Sequence, residues 1–387
     1  ADAGNDACAP TTDNSAAAWR RAATALRRPV SSGEDQRDAQ ARSPCLSRAR
    51  DVHPCDRCYH AALLAGSTVK VSILTNTANR YNRRHPDVGE TIRAALPGAL
   101  YRDTRGIAEI EPALAEIADA GTELLVLNGG DGTVQKVVTA LLARSAQYTP
   151  PMLALLPGGT TNMTARSINA QALGFQRALR ALSDLVPGLA VGHPAVIERP
   201  AVVATLPDHT QVAGFFWGMG AILRGIEYCQ KTVYEAGIGG EQASGVALVR
   251  TVIGIARRQP PFAGGATVEL AGCTPSGRFE ASILLATTLE QLFLGIRPFW
   301  GEPQGALRGV LVEEPARRLI RNLPALLRGR PNRHMTAATG YHPINTETLE
   351  VTAAGRFTLD GELYDLPAGT LRLAPSIPLR FLRLGAP

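Results

Sequence analysis

The stretch Glu123-Leu-Leu-Val-Leu-Asn-Gly-Gly-Asp-Gly-Thr133 decides the fold class. Its first half is an almost continuous apolar run, the pattern of a strand buried on both faces of a parallel sheet. Its second half is a glycine-rich turn, after which Val134, Val137, Val138, Leu141 and Leu142 fall on one face of a helix. The unit recurs: Met152-Leu-Ala-Leu-Leu156 is another buried strand, running into Pro157-Gly-Gly-Thr-Thr-Asn162 and a further helix. Upstream, residues 69–75 read as a strand, with a polar turn over 76–84 and a helix over 88–96 that ends at Pro97-Gly98. A short strand at 100–102 leads to a helix over 106–120 closed by Gly121. Strand, loop and helix in this repetition predict a three-layer α/β domain.

Past residue 190 the texture changes. Short β-rich runs at 201–206, 212–217, 266–270, 281–287, 348–351 and 357–359 alternate with Gly and Pro turns, the pattern of an antiparallel sheet or sandwich. Helical interruptions are expected at 243–258 and 315–328. A length of 387 residues suggests two domains. The 45% hydrophobic and 19% charged balance excludes a mostly disordered, collagen-like or polytopic membrane chain.

Both glycine turns follow a buried strand and open a helix, so they lie at the carboxyl edge of the sheet, where ligands bind. Glycine lets the backbone approach an anion closely, and the free N–H groups of a helix start point toward it. An Asp in such a turn repels phosphate directly, so Asp131 is expected to hold a magnesium ion that bridges the phosphates. The plainer reading is a tight turn in which Asp-Gly satisfies local geometry. Two such loops on consecutive units favour a nucleotide site.

Gly129-Gly-Asp-Gly-Thr133, followed about 25 residues later by Pro157-Gly-Gly-Thr-Thr-Asn162 and then Ala165-Arg166, resembles the diacylglycerol kinase catalytic domain. That family includes bacterial lipid kinases and is related to sphingosine and ceramide kinases. Asp360-Gly361-Glu362 is a third match, and the resemblance runs from about residue 68 to the end, weakest in its middle third. NAD kinases and phosphofructokinases share a GGDG-type loop, but the second turn with Ala165-Arg166 looks more like the lipid kinases.

The resemblance implies a three-layer α/β nucleotide-binding domain followed by an antiparallel β-sandwich domain, with the C-terminal strand returning to the first. Residues 67–166 would bind ATP, joined by 365–387, and 167–364 would hold a lipid acceptor. It implies ATP and Mg2+ as cofactors. Asn76, Thr104, Gly129, Gly130, Asp131, Gly132, Thr133, Gly158, Gly159, Thr160, Thr161 and Asn162 would line the nucleotide site. Glu362 would be the general base that takes the proton of the acceptor hydroxyl, although its Asp-Gly context also reads as a hairpin turn.

The chain departs from the family at several positions. The turn after the first strand is Asn76-Thr-Ala-Asn-Arg80 rather than Asn-Pro with a following Ser-Gly. Gln135-Lys136 stands where the family has Asn-Glu, and Met163 where most relatives have Asp. Gln304-Gly-Ala-Leu307 replaces the late Asp-Gly-x-Leu turn that holds a structural magnesium in many bacterial members. These losses of acidic groups keep a second reading open, a catalytically inactive nucleotide-binding relative; a third is a small-molecule kinase like NAD kinase.

The formal charge is +6, with 37 Arg and only Lys70, Lys136 and Lys231 among the basic residues, a bias that a GC-rich genome also produces. Residues 315–333 alone carry six Arg and no acidic group, with Leu319, Leu323, Leu326 and Leu327 at helical spacing around Pro324. Such a stretch suits an anionic membrane surface or a helix packed on the β-domain with solvated arginines. No nucleic-acid motif accompanies the charge, so no nucleic-acid partner is expected. Residues 1–66, with Cys8, Cys45, Cys55 and Cys58, lack periodicity and read as a disordered extension; the missing second Cys pair argues against zinc. With neither a signal peptide nor a membrane span legible, the expected location is cytoplasmic with peripheral membrane association; a homodimer is left open.

Overall fold

Parallel strands alternate with helices in the first half of the described chain, and the order of those strands places the glycine loops side by side. The protein is represented by a computed structural model that describes residues 69–189, 193–223 and 265–385. The expected helix at 243–258 and the cysteine-rich residues 1–66 lie outside these.

Strand β1 (Val71–Asn76) runs to Asn79, whose side chain accepts the Asn82 N–H at 2.8 Å and so caps α1 (Arg80–Arg84); α2 (Val88–Ala95) follows. Next come β2 (Leu100–Thr104) and α3 (Ile110–Asp119), whose expected first turn is instead the 3-10 turn Ile107–Glu109. Then β3 (Leu124–Gly129) leads into α4 (Asp131–Ala143), and β4 (Met152–Pro157) into α5 (Met163–Ile168) and α6 (Phe175–Leu185). The strands pair in parallel in the order β2-β1-β3-β4. Register decides what this edge can do. Asn76 pairs with Thr104 and Gly129 with Pro157, so all four strands end together.

The apolar runs read from the sequence are buried as expected: every residue of β3 is inaccessible to solvent. One face of the sheet, with Ile73, Leu124, Val126 and Ala154, packs on Val88 and Ile92 of α2 and on Phe175, Leu179 and Leu182 of α6.

The second half is antiparallel. Its strands are β5 (Val196–Thr205), β6 (Gln211–Gly214), β7 (Phe216–Gly220), β8 (Ala266–Ala271), β9 (Gly277–Thr287) and β10 (Leu307–Glu313). Helix α7 (Leu319–Leu327) precedes β11 (Tyr341–Thr346), β12 (Leu349–Leu359) and the long β13 (Glu362–Leu382). Trp217 and Phe357 lie in its core with ring centroids 6.2 Å apart.

Several expectations are corrected here. The run 212–217 is two strands, because the amides of Phe215 and Phe216 turn out of the ladder to donate to Asp360. The runs 348–351 and 357–359 are one strand, β12, with a register shift between Ala353 and Gly355. Helix α7 starts only after Arg318, which adopts a left-handed φ of 58°. Strands β10 and β11 and helix α6 have no counterpart in the sequence reading.

Strand β13 joins the two halves. It leaves a hairpin with β12, pairs antiparallel with β5, and at Phe381 lies parallel to Leu153 of β4. A continuous 13-stranded sheet results. Phe381 is fully buried and meets Phe215 edge-on at 5.8 Å. Phe381→Ala is expected to cost about 3–5 kcal/mol. Urea unfolding should report that loss through both halves in one transition, since the residue sits where they meet.

Candidate active site

Two loops meet at the carboxyl edge of the parallel strands. Gly130 and Gly159 approach backbone to backbone: a Cβ on Gly159 would lie 2.6 Å from the Gly130 Cα. No other residue type fits that contact. Asn162 closes the second loop on itself, its Oδ1 accepting from Gly159 N–H at 2.7 Å and its Nδ2 donating to the Gly159 carbonyl at 2.8 Å. It does so from a left-handed conformation (φ 44°) and therefore leaves the first amides of α5 uncapped.

Asp131 takes over that task. Its Oδ2 accepts from Thr161 Oγ1 at 2.8 Å and from Met163 N–H at 2.9 Å, and its Oδ1 accepts from Thr164 N–H at 2.9 Å. The carboxylate is buried, at the start of α4, where the helix dipole also favours it. It caps a helix from outside that helix's own chain segment. On the other side of the loops, Asn76 Nδ2 donates to Thr133 Oγ1 at 2.8 Å, and buried Thr104 closes the end of β2.

The third motif arrives from the antiparallel half. Leu359 pairs with Glu362, so Asp360 and Gly361 form a two-residue turn, with positive φ of 52° and 91°. That is the geometry of a type I′ hairpin, which Asp-Gly favours. The Asp360 carboxylate is buried and accepts from the amides of Phe215 (2.9 Å) and Phe216 (2.8 Å). Burial, with the negative charges of Asp131 and Glu362 nearby, raises its carboxyl well above the ordinary range, while the two amides pull the other way. The turn thus aims Glu362 at α4. Its Oε1 lies over Gly132, where a Cβ would come within 2.6 Å, and 4.0 Å from Lys136 Nζ.

These groups line a cavity of about 640 Å³. Asn76, Thr104, Gly130, Asp131, Gly132, Thr133, Gly159, Thr160, Thr161 and Glu362 all face it. Gly129, Gly158 and Asn162 do not: they shape the loops from behind. Gly158 leaves room for the Asn79 side chain, and Gly129 for Thr133. The other wall is apolar, with Phe216, Ile283, Leu285, Phe293, Val310 and Leu326.

Residues 73–188 match the model of the diacylglycerol kinase catalytic domain. This segment belongs to the diacylglycerol kinase catalytic-domain family. A crystal structure of a diacylglycerol kinase from Bacillus anthracis str. Sterne superposes with a TM-score of 0.54 at 16% identity, covering 82% of this chain and 97% of that one. Another from the same organism, provisionally assigned as a diacylglycerol kinase, gives 0.57 at 18% identity, covering 81% and 96%. At such identity the likeness concerns the fold. No curated protein sequence matches the chain.

The acidic groups at the loops are already committed to donors within the chain. A magnesium held by protein needs carboxylate oxygens that face it. Three donors occupy Asp131, leaving about one of its four acceptor sites. Asp360 spends both oxygens on amides, and Glu362 stands beside an ammonium. Among the described residues, no group of three or more His, Cys, Asp or Glu is placed to hold a metal. The residues do not fit a metal anchored by the protein. The expectation of Asp131 as metal ligand is corrected accordingly, since its oxygens face the amides of α5.

Sequence reasoning singled out Lys136 but missed the arginines. Arg80, Arg83 and Arg105 line the cavity, as does Lys136. The first two lie three apart on α1, a spacing that puts both on one helix face. Met163 also faces the cavity, and its main-chain N–H serves Asp131.

Gly159→Ala is expected to destabilise the protein by about 1–3 kcal/mol, as overpacking against backbone does. Thermal unfolding measures this, and Gly174→Ala, with nothing within 4 Å of its added Cβ, serves as the control.

Proposed function

We propose that the protein is a kinase that transfers the γ-phosphoryl group of ATP to a hydroxyl of a diacylglycerol-like lipid. One observation carries the reading: the glycine-loop cradle and the apolar wall belong to the same cavity, and Glu362 stands where they meet. A polar acceptor of the kind NAD kinase uses has no need of the aliphatic wall formed by Ile283, Leu285, Val310 and Leu326.

The chemistry follows from positions. The main-chain N–H groups at the start of α4 and in the second loop face the phosphates, with Arg80, Arg83 and Arg105 adding positive charge. Asn76, Thr104 and Thr133 hold the nucleotide edge. Magnesium enters as part of the MgATP substrate. The acyl part of the acceptor occupies the apolar wall, which excludes water from the transferring group. Glu362 accepts the hydroxyl proton, the oxygen attacks the γ-phosphorus, and the bond to the β-γ bridging oxygen breaks as ADP leaves. Most of these roles are positioning, as phosphoryl transfer demands.

The acceptor is reached from a membrane. The face of α7 that carries Leu323, Leu326 and Leu327 lines the cavity, while Ile320 is 50% exposed and Leu294, in the loop that borders α7, 41% exposed. Arg317, Arg318, Arg321, Arg328, Arg330 and Arg333 lie along the same stretch of chain as Ile320. Exposed aliphatic side chains in an arginine-rich stretch suit an anionic bilayer surface, each cation contributing about 1 kcal/mol there. No helix of the described residues is long and apolar enough to cross a membrane. The enzyme is thus read as a cytoplasmic protein that docks peripherally.

The rival reading, an inactive nucleotide-binding relative, draws on Lys136 beside Glu362, and turnover separates the two. With radiolabelled ATP, magnesium and mixed vesicles, label should pass to diacylglycerol in preference to sphingoid or phospholipid acceptors. Glu362→Gln should lower kcat by about 10²–10⁴-fold and leave ATP affinity nearly unchanged. ATP binding without transfer to any lipid would establish the inactive relative instead.

Sedimentation with phosphatidylserine vesicles should be strong at low salt and lost at high salt, and Ile320→Asp with Arg321→Glu should abolish it. Equal sedimentation with neutral vesicles would remove the arginine face from the account.

A further inference from the structure

We propose that Lys136 is the protein's own cation at the phosphoryl-transfer point, standing in for a metal anchored by carboxylates, so that the nucleotide binds with or without magnesium. The proposal rests on the reading of the cavity as an ATP site and says which charge meets the terminal phosphate there.

Lys136 lies one helical turn beyond Gly132 on α4, on the face that the glycine loops present to the cavity. Its side chain is 21% exposed, and its ammonium stands 4.0 Å from Glu362 Oε1. That separation is an ion pair but exceeds hydrogen-bond reach, so the N–H donors are not consumed by the carboxylate. They remain available to a phosphate oxygen lying between the loops and Glu362.

Charge makes such a group necessary. Asp131 and Glu362 bring negative charge to this end of the cavity, and both charges bear on Asp360. A polyanionic nucleotide whose terminal phosphate approaches Glu362 meets repulsion unless a cation stands beside it. A metal ion would need carboxylate oxygens that here are turned to the amides of Phe215, Phe216, Met163 and Thr164. The ammonium already stands beside Glu362, whose Oε1 lies over Gly132 of the first loop. Arg80, Arg83 and Arg105 line the same cavity, but among the described cations it is Lys136 that pairs with Glu362.

The test is equilibrium binding of a non-hydrolysable ATP analogue by calorimetry, in EDTA and in magnesium. Wild-type protein should bind the metal-free analogue within about tenfold of the magnesium complex. Lys136→Met should lose about 10- to 100-fold for the metal-free analogue, the worth of one charge-assisted contact, and Lys136→Arg should recover most of it. Electron paramagnetic resonance of added Mn2+ should show no stoichiometric site in the nucleotide-free protein.

Binding of the analogue only with magnesium would overturn the proposal and leave the ATP reading intact. Unchanged affinity in Lys136→Met, or a stoichiometric Mn2+ site in the nucleotide-free wild type, would do the same. Absence of binding under both conditions would overturn the ATP reading along with it.

Discussion

Asp131 is the residue on which the site depends. Its carboxylate receives a hydroxyl and two main-chain amides from the segment that begins after β4, although it belongs to the segment that follows β3. Helix starts carry amides without intrahelical partners, and an unpaired buried donor costs about 1–3 kcal/mol. Asn162, which stands at the cap position of α5, is folded back on Gly159 and does not serve them. The clamp therefore does two things at once. It completes α5, and it draws the loops together until Gly130 and Gly159 touch. The glycines are a consequence of the clamp as much as of any anion that binds above them.

From there the constraint passes through α4 to the rest of the molecule. This helix is buried on more than its apolar stripe: Gln135 and Thr139 are buried as well. Gln135 Nε2 donates to Tyr364 Oη at 2.9 Å, and Thr139 Oγ1 bridges the main chain of Ala213. Both partners belong to the antiparallel half, as does Glu362. The turn that carries Glu362 is in turn fixed by Asp360 on the amides of Phe215 and Phe216. A helix that opens at the phosphate loops thus ends up measuring the distance from those loops to the proposed base, with polar contacts setting the register at three places along its length.

How much of this was legible in the sequence follows from the range of the interactions involved. The buried strands β3 and β4 and the glycine loops were readable because apolar runs and glycine turns are local patterns. The Asp-Gly hairpin was readable too, and its two meanings coexist: the turn chemistry delivers the carboxylate. What could not be read were pairings across long stretches of chain. Phe215 and Phe216 belong to an apolar run that looks like one strand until Asp360, far along the sequence, takes their amides. Asp131 looks like a metal ligand until α5 is folded against it. Gly129, Gly158 and Asn162 share a motif with residues that face the cavity, yet they lie behind it, because a motif records which residues co-occur and not which way each one points. The arginines of α1 and Arg105 were hidden for a simpler reason: arginine is so common in this chain that its presence at any one place carries little information.

That same bias gives Lys136 its weight. Of the 40 basic residues only three are lysine, and of these Lys136 lines the cavity. Arginine presents a planar fork suited to paired oxygens at a fixed angle, which would suit Arg80, Arg83 and Arg105 to the proposed nucleotide's phosphates. A transferring phosphoryl group moves from one oxygen to another and passes through a planar arrangement, so a fork matched to its starting geometry is mismatched midway. A compact ammonium on a flexible stem can follow it. A composition that pushes toward arginine and a site that carries lysine are reconciled if this position requires a mobile point charge beside the proposed base, while the other cations lining the cavity require none.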